Sequence, residues 1–105
     1  SAASDVYKRQ GNKQKVVLAR WIGKDSDIVV LDSPTRGIDI KVKQDIYQLM
    51  NQMRKNGKSI IMISEELMEL IGMSDRIIIM KDGNISGELE RNQNLDENGL
   101  ISMMV

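Results

Sequence analysis

The chain has 105 residues with no cysteine and no histidine, which excludes disulfides, thiolate metal sites and imidazole bases. Its 15 basic residues balance its 15 acidic ones, and this zero net charge argues against nucleic acid as a partner, because nucleic-acid-binding proteins usually carry a basic excess. No apolar run approaches the roughly 18 residues that span a bilayer, so we expect any membrane role to come through a partner.

The first half of the chain alternates helix, strand and helix. Residues 12–24 carry apolar side chains at helical spacing, and residues 28–31 form a short apolar run that suits a strand buried on both faces. Residues 40–55 have apolar side chains every three or four positions, which predicts an amphipathic helix. Gly57 is expected to end this helix in the left-handed conformation. The basic side chains between Lys41 and Lys58 are expected on solvated helix faces.

The second half of the chain is predicted to contain three further strands, the last two paired in a hairpin, and two short helices. Residues 59–64 and 76–80 are apolar runs typical of strands, and residues 65–72 form a short helix between them. The Asp82-Gly83 pair favours a tight turn, so residues 76–80 and 84–90 should pair antiparallel. Residues 95–104 predict a last helix. This alternation of strands and helices indicates an α/β fold in which the first strands run parallel.

Residues 1–10 differ from the rest of the chain. Their sequence, SAASDVYKRQ, has no apolar periodicity and joins abruptly to a well-patterned segment. We therefore predict that residues 1–10 are non-native or artefactual and that residues 11–105 are the domain proper. The alternative is a frayed native terminus.

Several stretches resemble motifs of ABC-type ATP-binding domains. Residues 11–20 (GNKQKVVLAR) resemble the second half of the signature motif, residues 28–39 (IVVLDSPTRGID) the Walker B strand and D-loop, and residues 59–67 (SIIMISEEL) the strand before the switch histidine. With ELIGMSDRIIIMKDGNISGEL, they are similar to the second ATPase half of ribose-, galactose- and xylose-type sugar importers. The resemblance implies the C-terminal part of a P-loop NTPase-type α/β domain, with a partial parallel sheet and a C-terminal β-hairpin.

The resemblance implies site residues, each with a plainer alternative. Gly11, Asn12 and Gln14 match positions that cover the γ-phosphate of ATP held by the opposite half of the dimer. A glycine at a helix start would also expose backbone N–H groups to an anion, although it can simply precede a helix. Asp32, at the carboxyl end of a buried strand, is the candidate for holding Mg²⁺ through water. Asp39 matches the D-loop aspartate and could equally be a helix N-cap.

Two positions depart from the family pattern. Ser33 stands where the family has a glutamate that polarises the attacking water, and Glu65 stands at the switch-histidine position. We therefore predict weak hydrolysis at this half, with a partner half performing the chemistry. The chain contains no G-x-x-x-x-G-K-S/T loop. The Gly57-Lys58-Ser59 triplet resembles the end of that motif, but it is predicted to end a helix and begin a strand. We expect the isolated chain to lack useful ATP binding and to be inactive.

The resemblance implies a subunit that energises bacterial monosaccharide import with ATP and Mg²⁺. Such a subunit lies at the cytoplasmic face of the cell membrane, bound to permease subunits and a second ATPase half, with a sugar-binding protein as an indirect partner. Two alternatives are a non-catalytic α/β interaction or regulatory module, and a fragment of a soluble ABC ATPase. We expect the chain to begin downstream of the phosphate loop, leaving exposed sheet edges and an open apolar face that promote self-association.

Overall fold

The computed structural model describes residues 2–22 and 26–91, with side chains from residue 9 onward. The chain divides between residues 63 and 64 into two compact units. No helix in the described ranges is long and apolar enough to cross a membrane.

The first unit pairs two parallel strands with two helices. Strands β1 and β2 run parallel, with Ile28 opposite Ser59 and Asp32 opposite Ile63. Helices α1 and α2 pack against each other, and α2 also contacts β2. The elements, in chain order, are α1 (Ala2–Ile22), β1 (Ile28–Asp32), α2 (Ile40–Lys55) and β2 (Ser59–Ile63). The buried apolar side chains of this unit are Leu18, Val29, Leu31, Ile46, Met50 and Met53.

The second unit is a short helix and a hairpin: α3 (Leu67–Met73), β3 (Arg76–Lys81) and β4 (Asn84–Glu90). Strands β3 and β4 pair antiparallel, with a bulge between Ile79 and Met80. Ile77 and Ile79 are buried, and apolar side chains of α3 and β4 pack against them. Asp82 and Gly83 both have positive φ, 51° and 78°, as a type I′ turn requires. The Asp-Gly pair therefore forms the predicted turn.

The predicted fold class is confirmed: the chain is α/β, with a parallel strand pair and an antiparallel hairpin. The predicted end of α2 is also confirmed. Gly57 has a φ of 85°, and its N–H donates to the carbonyl of Arg54 over 3.0 Å. The N–H of Lys58 donates to the carbonyl of Met53 over 3.0 Å, and these two bonds together are the Schellman motif that closes many helices.

The predicted helix boundaries are wrong at two places. Helix α1 begins at Ala2 and continues through Gly11, whereas apolar spacing predicted a start at residue 12. Residues 2–10 contain no proline or glycine, so nothing in them stops a helix. Helix α3 begins at Leu67, two residues later than predicted, and Glu66 is its N-cap residue. The predicted helix over residues 95–104 lies outside the described residues.

Two predictions about burial are also wrong. Strand β1 is buried on one face only, because Val29 and Leu31 are buried while Ile28 and Val30 remain 62% and 60% exposed. Within the described residues of the first unit, no element covers that second face. Lys58 is only 7% exposed instead of solvated. Its Nζ donates to the carbonyl of Ser26 over 2.8 Å, which gives the buried ammonium an acceptor.

Candidate functional site

The carboxyl end of β1 presents an exposed aspartate. Asp32 is the last residue of β1 and lies opposite Ile63, the last residue of β2. The two strands are parallel, so both end at the same edge of the sheet, which is where α/β proteins place ligands. The hydroxyl of Ser33 donates to Oδ1 of Asp32 over 3.2 Å.

Ser33 turns the chain out of the sheet. Its φ is 50°, in the left-handed region that non-glycine residues seldom occupy. Its N–H donates to the carbonyl of Ile63 over 2.8 Å, and its carbonyl accepts from the N–H of Arg36 over 3.3 Å. The backbone is therefore fixed on the β2 side and on the loop side.

The loop after Ser33 leads directly into α2. Pro34 and Thr35 are buried, and the carbonyl of Thr35 accepts from the N–H of Ile38 over 3.2 Å. Asp39 is the N-cap of α2, since its Oδ1 accepts from the N–H of Lys41 over 2.8 Å. The N-cap alternative for Asp39 is confirmed, and its role as a D-loop aspartate stays a prediction.

The signature-like residues lie inside α1. Gly11 is buried, and a Cβ built on it would lie 3.3 Å from Cγ2 of Ile38 and would clash with Val42. Asn12 is exposed and Gln14 half-buried. The helix start expected directly after Gly11 is wrong, because α1 already begins at Ala2. Interior N–H groups of a helix donate to carbonyls four residues back, so they are not available to an anion at Gly11. The assignment of these three residues to a nucleotide site stays a prediction.

Glu65 belongs to the second unit, in the segment between β2 and α3, and its side chain is exposed. The neighbouring N–H of Glu66 donates to Oγ of Ser64 over 3.0 Å. Asp32, Ser33 and the Asp39 cap thus belong to one loop-and-strand assembly, whereas Glu65 belongs to the other unit.

The environment of Asp32 suits a Mg²⁺ ion held largely through water. Mg²⁺ keeps several of its waters and takes only one or two carboxylates from a protein. Asp32 supplies one exposed carboxylate, and Ser33 occupies only its Oδ1. Among the side chains that the structure describes, in residues 9–22 and 26–91, no group of three or more acidic residues could form an all-protein metal cage. The single carboxylate of Asp32 therefore fits a Mg²⁺ ion that keeps most of its waters.

The sequence and the fold of this chain are both similar to those of known ATP-binding proteins. The chain is 51% identical over 87 residues to the ribose import ATP-binding protein RbsA of Bacillus licheniformis, a match that covers 83% of this chain. It is 53% identical over 83 residues to RbsA of Streptococcus agalactiae, covering 79%. In structure it is similar to the ATP-binding cassette MJ0796, solved as a post-hydrolysis dimer with ADP and Pi, with a TM-score of 0.66, 28% identity and coverage of 77% of this chain and 35% of that one. In sequence and in fold, the chain corresponds to part of an ABC-type ATPase domain.

The extent of the match is limited to one part of these proteins. The chain spans 18% of the length of the Bacillus licheniformis protein and 17% of the Streptococcus agalactiae protein. The match lies in the C-terminal part of the ribose import proteins, as the resemblance implied. A second ABC cassette, MJ1267, shares the fold of this chain with a TM-score of 0.71 at 20% identity, over 89% of this chain and 38% of that one. No protein-family profile matches the sequence.

Sequence reasoning missed two features of this chain. It treated Ser33 only as a missing glutamate and did not predict its left-handed backbone or its bond to Asp32. The signal was weak, since a serine next to an aspartate before a proline predicts a turn without fixing its hand. It also missed Gly11 as a contact with α2, which only the packing of two helices distant in sequence reveals.

Proposed function

We propose that this chain is part of an ATP-binding subunit that energises the import of a ribose-like sugar into bacteria. The observation that carries the proposal is the 51% identity to ribose import ATP-binding proteins over 87 residues, a span long enough to include the Asp32 strand and loop. The subunit would work at the cytoplasmic face of the membrane with permease subunits and a second ATPase half. A sugar-binding protein would be an indirect partner.

The ligands of the intact subunit would be ATP and Mg²⁺. Asp32 would hold Mg²⁺ through water, and the bound ion would offset negative charge on the phosphates. Gly11, Asn12 and Gln14 would lie toward nucleotide held by the opposite half, with Asp39 near that dimer contact. The exposed Asp32 carboxylate and the exposed Asn12 support the assignments of those two residues.

Hydrolysis at this half would be slow. Ser33 has no carboxylate with which to polarise an attacking water, and Glu65 has no proton to donate to a γ-phosphate in its ionised form. The loss of a positioned general base costs about 10² or more in rate. The partner half would then perform most of the hydrolysis while this half binds nucleotide.

We test this proposal by moving the segment into a complete subunit. The matched segment of a ribose import relative is replaced by that of this chain, and ribose uptake is measured in cells that lack their own subunit. We expect uptake and co-purification with the permease. A hybrid that folds and binds neither permease nor ATP would contradict the proposal and favour a non-catalytic interaction module, the alternative that Ser33 and Glu65 support.

Ser33→Glu tests the weak-hydrolysis hypothesis in the same hybrid. We expect ATP turnover at this half to rise by about 10-fold or more, because a carboxylate returns to the base position. The partner half carries an inactivating substitution, so that turnover reports this half alone. Ser33→Gln is the matched control, since it has similar size and no charge. Equal turnover in the glutamate and glutamine variants would contradict the hypothesis.

A further inference from the structure

The conformation of Ser33 aims its hydroxyl at Asp32. Successive side chains of an extended strand point to opposite faces, so a serine that continued β1 would direct its hydroxyl away from Asp32. The φ of 50° at Ser33 changes that direction, and Oγ comes within 3.2 Å of Oδ1 of Asp32. The left-handed backbone of Ser33 therefore makes the hydrogen bond from its hydroxyl to Asp32 possible.

The backbone of Ser33 is held in place by hydrogen bonds on both sides. Its N–H and its carbonyl are both engaged, with Ile63 over 2.8 Å and with Arg36 over 3.3 Å. Pro34 and Thr35, which follow, are buried. A hydroxyl on a fixed backbone can restrict the rotation of the neighbouring carboxylate of Asp32, whose side chain is exposed.

We propose that Ser33 is a positioning residue for the metal-binding carboxylate of Asp32. Its hydroxyl donates to Oδ1, and Oδ2 would then remain available to accept from water held by a Mg²⁺ ion. Groups that hydrogen-bond to metal ligands orient those ligands, and their removal weakens metal binding. This inference rests on the proposed function, since it takes Asp32 to be the Mg²⁺ ligand. It gives Ser33 a role of its own, separate from the absent glutamate.

The experiment measures metal binding and does not depend on turnover. In the complete hybrid subunit, a fluorescent ATP analogue is titrated first in EDTA and then with Mn²⁺. Ser33→Ala removes the hydroxyl, and Ser33→Gly removes it while also adopting positive φ without steric cost. Ser59→Ala is the matched control, because it removes an exposed serine hydroxyl at the opposite end of the same strand pair.

We expect both Ser33 variants to weaken Mn²⁺ binding by about 10-fold, the low end of what loss of a ligand's hydrogen-bond partner causes. Analogue binding in EDTA and the melting temperature should stay unchanged, and Ser59→Ala should match the unmodified subunit. In an Asp32→Asn background, Ser33→Ala should add no further loss, because the carboxylate that it positions is gone.

Three results would overturn the inference while leaving the proposed function intact. The first is unchanged Mn²⁺ binding in Ser33→Ala. The second is normal Mn²⁺ binding in Ser33→Gly while Ser33→Ala is weakened. The third is a weakening of Mn²⁺ binding by Ser33→Ala that also occurs in the Asp32→Asn background. Normal binding in Ser33→Gly alone would assign the effect to the backbone and not to the hydroxyl. If the unmodified subunit binds no nucleotide with or without Mn²⁺, the proposed function fails, and this inference fails with it.

Discussion

Gly11 occupies a position in α1 where no side chain fits. A Cβ there would lie 3.0 Å from Cβ of Val42 and 3.3 Å from Cγ2 of Ile38, both of which belong to the start of α2 or the loop before it. Gly72 in α3 has no atom within 4 Å of its Cβ position. Two helical glycines thus differ in their surroundings, and only the first holds two elements close together.

Alanine at these two glycines should change stability in opposite directions. We expect Gly11→Ala to destabilise the first unit by about 1–3 kcal/mol, because overpacking outweighs the gain in helix propensity. Gly72→Ala should stabilise the second unit by about 0.5–1 kcal/mol, because alanine favours a helix and meets nothing. Urea unfolding followed by circular dichroism, with amide hydrogen exchange to separate the units, measures both. A stabilised Gly11→Ala variant would contradict the contact.

Helix α2 has a defined signal at each end. At its start, Asp39 accepts the N–H of Lys41, and at its end Gly57 and Lys58 complete the Schellman motif. On its side, Asp45 forms an ion pair with Lys15 of α1 over 3.2 Å, with the two side chains 50% and 31% exposed. A capping side chain accepts from a backbone N–H at the helix start that has no partner within the helix, whereas an exposed ion pair contributes little to stability.

Asp39→Ala should cost about 1 kcal/mol of stability through the lost cap. Asp39→Asn should cost much less, because asparagine caps equally well. Asp45→Ala, the control for charge, should cost about 0.5 kcal/mol or less. Thermal unfolding of the three variants checks this order. In the complete hybrid, a stable Asp39→Asn variant with impaired ATP turnover would separate the D-loop role from the cap, and unimpaired turnover would argue against that role.

At the scale of the whole molecule, the parallel strand pair leaves an apolar face open. Ile28, Val30, Ile61 and Ile63 alternate with inward-facing residues, and their exposed fractions lie between 51% and 62%. The hairpin of the second unit also exposes Ile78, Met80 and Ile85. Contiguous apolar patches of this kind favour association, and so do the unpaired edges of two-stranded sheets.

The isolated chain should therefore self-associate as its concentration rises. We expect the double substitution Val30→Thr and Ile61→Thr to reduce association, because threonine keeps the β-branched shape that suits a strand. Ile40→Thr is the control, since Ile40 is 73% exposed and lies outside the sheet. Sedimentation velocity over a wide range of concentrations measures the effect. A sharp, reversible, monomeric melt of the unmodified chain would contradict the prediction.

The features that the sequence by itself determined are those with a local cause. The apolar runs of β1 and β2, the Asp82-Gly83 turn, and the Gly57 helix end each depend on a few adjacent residues, and the structure confirms them. The motifs around Asp32 also identified the ABC-type ATPase family correctly, because a short run of residues carries them. The alternation of elements sufficed for the α/β class.

Only the tertiary structure decided the features that depend on distant parts of the chain. Lys58 is buried because its ammonium reaches a carbonyl 32 residues away, and Gly11 is packed because α2 lies against α1. Ser33 is left-handed where its N–H meets the end of β2, 30 residues later. The exposure of one face of β1 likewise depends on which other elements pack against the strand. Hydrophobic pattern fixes which side chains favour burial, whereas the approach of separate segments decides which of them are buried.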